Sequence, residues 1–99
     1  MNTFLHMDAA TQSKQTRLTF SDIELARQLF GEQDGHLKQL ADQLGVHIHD
    51  RGNAVNLKGE DESVDLSRRV LEQLYGLLKE KYPVYPTDID YALRILKKD

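Results

Sequence analysis

The chain has 99 residues, a formal net charge of −3, 39% hydrophobic and 29% charged residues, and no cysteine. This size allows one modest core, and the lack of cysteine excludes disulfides and thiolate metal sites. The acidic balance counts against strong autonomous binding of nucleic acid, because phosphate contacts need Lys and Arg.

The first segment, "MNTFLHMDAATQSKQ", lacks the basic and apolar regions of a signal peptide and reads as a mobile polar tail over residues 1–15. "TRLTF" is β-prone, with Leu18 and Phe20 on one face. Ser21 and Glu24 form a capping-box pattern, so a helix is expected to begin there. Ile23, Ala26, Leu29 and Phe30 give it an apolar stripe, and Gly31 stops it. A second helix is expected from about Asp34 to Leu44, with Leu37, Leu40, Ala41 and Leu44 inward and Gly45 just past its end.

"VHIHD" and "AVNLK" alternate apolar and polar residues, and "DRGN" between them suits a tight hairpin. One sheet face should therefore be buried and the other wet, the wet one carrying His47, His49, Asn56 and Lys58. A long helix follows, from residue 61 to about 81, with Val64, Ser67, Val70, Leu71, Leu74, Leu77 and Leu78 inward. Gly76 inside it marks close packing or a bend. "YPVYP" breaks the helix. Thr87 with Asp90 resembles another cap, opening a last helix with Ile89, Ala92, Leu93 and Leu96 inward. The natural solution for this order is a two-layer α+β domain with helices on one face of a small sheet.

Phe30, the turn Gly31-Glu32-Gln33-Asp34 and Leu37, followed later by Gly59, Val64 and Ser67, resemble the frame of a KH domain over residues 16–78. The resemblance implies an α+β, KH-like (type I) βααββα domain with a three-stranded sheet, here over 16–82, and an extra C-terminal helix over 83–99. In KH proteins two glycines let backbone N–H groups approach phosphate. Here Asp34 stands in place of the second glycine, and Glu32 and Gln33 lie between. The alternative for this corner is purely structural: Gly31 ends one helix and Asp34 caps the next.

"LFGEQDGHLKQLADQLGVHIHDRGNAVNLKGEDESVDLSRRVLEQLY", with the later "DIDYALR", is similar to the N-terminal domain of PhoH-family ATPases. In that family the module precedes a P-loop NTPase domain and the whole is implicated in ATP-dependent RNA metabolism. No G-x-x-x-x-G-K-[ST] occurs in this sequence. The chain therefore reads as an excised N-terminal domain that is not itself an enzyme, and ATP and Mg are implied only for the P-loop domain. The family name suggests phosphate starvation, and the cysteine-free composition suits the cytoplasm.

The resemblance implies single-stranded RNA, the family's own P-loop domain, or a protein of RNA processing as partners. No apolar run approaches the roughly 20 residues of a membrane span, so no membrane partner is expected. Candidate RNA-binding residues are Gly31, Gln33, His36, Lys38, His47, His49, Arg51 and Lys58, against the alternative of scattered surface charge. His47 and His49 share a strand face, but a third ligand is not evident beyond His36 or Asp50, so a metal is not expected. Arg68 and Arg69 are placed to pair with Asp65 and Glu72 along the long helix. Tyr82 and Tyr85 either stack bases or pack the last helix onto the domain. No nucleophile with a placed base stands out.

Overall fold

Alternation decides the sheet. The computed structural model describes residues 13–98, and residues 1–12 of the tail expected over 1–15 lie outside the described residues. The strands are β1 (Ser13–Thr19), β2 (His47–Arg51) and β3 (Ala54–Glu60). They form one antiparallel sheet in the order β1-β3-β2. β1 starts earlier than its apolar residues suggest. Ser13, Lys14 and Gln15, assigned above to the tail, pair with Glu60, Gly59 and Lys58, because β3 offers backbone partners along its whole length. The β2–β3 hairpin closes through Gly52 (φ 62) and Asn53, the glycine taking the left-handed position.

The helices are α1 (Ile23–Phe30), α2 (Gly35–Leu44), α3 (Asp61–Lys79) and α4 (Pro86–Lys97). The chain is thus α+β with the βααββα order expected, plus an appended helix, an arrangement compatible with a small KH-like domain. Val55 and Leu57 of β3 are fully buried and belong to one core cluster with Leu29, Leu40, Val64, Val70 and Ile89. Burying each such side chain is worth about 1.5–3 kcal/mol. The described helices carry no segment long and apolar enough to cross a membrane.

Several local expectations are corrected. Asp22, not Ser21, caps α1, its Oδ1 accepting from the N–H groups of Glu24 and Leu25 at 2.9 and 3.1 Å. Ser21 and the Asp22 N–H instead meet the Tyr75 hydroxyl at 3.3 and 2.9 Å. Tyr75 is buried and Leu77 is 40% exposed, reversing the assignment on α3. The Tyr75 ring lies 4.7 Å from that of Phe20, so α3 turns its aromatic residue toward the β1–α1 junction. Ile23 is also exposed, at 50%, since α1 begins beyond the edge of the core. Gly76 neither packs closely nor breaks α3, because a Cβ there would meet nothing within 4 Å.

α4 is capped at Tyr85, whose N–H donates to Asp88 at 2.7 Å. Asp90 serves elsewhere, accepting from Gln39 and Gln43 of α2 at 3.1 and 2.7 Å. Tyr82 and Tyr85 are each 59% exposed and do not pack α4 down; Ile89, Leu93 and Leu96 do. Arg68 pairs with Asp65 and Glu72, each at 2.8 Å, as the spacing predicts. The Arg68 hydrogen bond holds the Asp65 carboxyl below its ordinary range.

Candidate nucleic-acid interface

The corner between α1 and α2 is built from strained backbone. Gly31 (φ 84) ends α1, its N–H donating to Arg27 at 3.1 Å. Gln33 (φ 53) and Asp34 (φ 59) are then both left-handed, a conformation that Asp tolerates better than most residues. The Asp34 side chain makes no cap on α2, which corrects the capping expectation. Instead Asp34 is pushed above the ordinary carboxylate range by burial, by a hydrogen bond with Asp50 and by the Asp50 charge, with Lys38 acting the other way.

His36 fits under this corner. Its Nδ1 lies 3.0 Å from the Leu29 carbonyl, which only accepts, so Nδ1 carries the proton. Of the four candidates on this side, Gly31 and His36 therefore shape the turn, while Gln33 and Lys38 are exposed. Asp34 and Asp50 thus place an acidic pair beside this turn, with Lys38 near it.

The other four candidates come together elsewhere. Directly opposed residues on neighbouring strands share a sheet face. The register sets Gln15, Lys58 and His47 in one row, Arg17, Asn56 and His49 in the next, and Thr19, Ala54 and Arg51 in the third. Gln15, His47, His49, Asn56 and Lys58 line an open depression of about 360 Å³ on this face. Helices cover the opposite face, where Val55 and Leu57 are buried.

Arg17, Arg51 and Lys58 thus lie on one open face, although the chain's formal net charge is −3. Glu60 is the acid on this face among the strand residues, at its far end beside Ser13. Gln15 and Arg17 were not among the sequence candidates. Their signal was present: they alternate with Thr16 and Leu18, which places them away from the core. Among the described residues, no group of three or more His, Cys, Asp or Glu could hold a metal ion.

A second surface lies between α3 and α4. Leu77, Tyr91 and Ile95, each at least 40% exposed, line an apolar groove of about 370 Å³ with Leu74 and Ala92.

Comparison with known proteins gives a consistent set of relatives. The chain is 34% identical over 74 residues to a PhoH-like protein of Bacillus subtilis, covering 75% of this chain and 23% of that protein. It is 29% identical over 92 residues to a PhoH-like protein of Mycobacterium leprae, covering 91% and 26%. A PhoH-like protein of Mycobacterium tuberculosis is 32% identical over 68 residues, covering 69% and 19%. The chain spans about a quarter of the length of these relatives or less. No family model matches the chain.

Proposed function

This chain is a relative of the PhoH family, and on that premise we propose that it is a KH-like accessory module that binds single-stranded RNA. In this reading the ATP-driven work, with its Mg, belongs to a P-loop domain outside these residues. The observation that carries the reading is the gathering of Arg17, Arg51 and Lys58 with two histidines on one open sheet face of an otherwise acidic chain. Phosphodiester backbone is the natural complement of such a face.

The test is titration of a short fluorescent oligouridylate with the full chain at low salt. Saturable binding that weakens as salt rises is expected. No binding at low salt would overturn the reading.

A second reading, a protein-docking or oligomer-organising domain, is favoured by the apolar groove between α3 and α4. Capture of a PhoH-like P-loop domain that persists after RNase treatment supports it, and capture that RNase abolishes rejects it.

A further inference from the structure

We propose that single-stranded RNA lies across the open face of the sheet, on the rows built by β1, β3 and β2, and not in the corner between α1 and α2. This rests on the RNA-binding reading above and names the surface that performs it.

Three observations converge. The first is charge. β2 divides the molecule electrostatically: His47, His49 and Arg51 point to the open face, while Asp50 turns to the helical side and meets Asp34. An anion arriving at the corner meets two carboxyl groups and exposed Glu32 against one cation, Lys38; one arriving at the sheet meets Arg17, Lys58 and Arg51, with Glu60 at the far end.

The second is availability. At the corner, His36 Nδ1 is committed to Leu29, and a Cβ on Gly31 would already collide with the His36 ring. The His36 ring thus occupies the space beside Gly31. On the sheet, Gln15, Arg17, His47, His49, Arg51 and Lys58 are all exposed.

The third is spacing and chemistry. Residues two apart on a strand stand about 6.7 Å apart, and neighbouring strands about 4.8 Å. The cationic side chains are therefore distributed over a flat area instead of at one point, which suits an extended polyanion. Asn56 and Gln15 carry both donors and acceptors for base edges, and the two imidazoles offer faces on which bases stack. An open sheet face with these groups admits splayed single strands.

The experiment follows the backbone amides of the full chain by NMR during titration with oligouridylate, then measures affinity for variants. Shifts are expected at Gln15, Arg17, His47, His49, Asn56 and Lys58. Arg17→Gln and Lys58→Gln should each weaken binding roughly tenfold and lower the salt slope by about 0.7. Gln33→Glu should leave affinity unchanged, and the double variant His47→Gln/His49→Gln should weaken binding by removing two stacking faces. The variant amide spectra report whether each remains folded. RNA binding with shifts confined to Gly31–Lys38, or full affinity in both Arg17→Gln and Lys58→Gln, overturns the sheet-face proposal while leaving the RNA reading intact. Absence of any binding by the unmodified chain defeats both.

Discussion

Gly31 and His36 are in contact so close that a Cβ on Gly31 would lie 2.7 Å from His36 Cγ and 2.9 Å from its backbone nitrogen. The backbone nitrogen cannot swing away as a flexible side chain can. Gly31→Ala should therefore lose about 2 kcal/mol or more, combining this overlap with the positive φ of 84. Gly35 is the internal control: its φ is −59 and nothing would lie within 4 Å of its Cβ. Gly35→Ala should gain up to about 1 kcal/mol. Urea denaturation of both variants checks the contrast, and equal effects would refute this account of the corner.

The Asp34–Asp50 contact predicts a pH dependence of defined sign. Asp34 titrates above its ordinary value of 3.8 in the folded chain, so the folded chain holds that proton more tightly than the unfolded one. This contribution to stability is complete below the unfolded value and is lost as pH rises through the raised folded value. Asp34→Asn keeps a residue that tolerates the left-handed backbone and removes the repulsion. At neutral pH it should be about 0.5 kcal/mol more stable than the natural sequence. Its stability should also lack the decline just above pH 3.8. Parallel stability–pH curves for the two proteins would contradict this.

Tyr75→Phe retains the ring beside Phe20 and deletes the hydroxyl that meets Ser21 and the Asp22 N–H. A loss of about 1 kcal/mol is expected from the missing hydrogen bond. Faster amide exchange at Asp22, with β2 and β3 unaffected, would place the effect at the β1–α1 junction. A variant as stable as the parent removes Tyr75 from any anchoring role.

Gly76→Ala should stabilise the chain by about 0.5–1 kcal/mol, because α3 is continuous there and the added methyl meets open space. A rise in melting temperature is the readout. A fall would mean that α3 depends on the flexibility of Gly76.

The parts of the fold legible in the sequence were those governed by local rules. Val46, Ile48, Val55 and Leu57 alternate with polar residues, and that period by itself gives two strands and their buried side. The caps were less legible because tertiary contacts reassign the competing groups. Ser21 looks like the cap of α1 until Tyr75, distant in sequence, meets its hydroxyl and leaves Asp22 to do the capping. Asp90 fits the α4 cap by its spacing from Thr87, but Gln39 and Gln43 of α2 bond to it. The site was half legible for the same reason. His47, His49 and Lys58 follow from one hairpin, whereas Gln15 and Arg17 join them only through the pairing of β1 with β3.

That pairing has a thermodynamic consequence. Asn53 at the hairpin loop donates to the Phe20 carbonyl and accepts from the Phe20 N–H, fastening the end of β1 to the β2–β3 hairpin. The open face is thus assembled from strands far apart in the chain, and the unfolded state contains nothing like it. Any ligand that bridges β1 and β2 must favour the native ensemble by mass action, about 2.7 kcal/mol when present at a hundred times its dissociation constant. For this domain, occupancy and foldedness are one linked equilibrium, and a thermal shift is as direct a measure of the ligand as a binding curve.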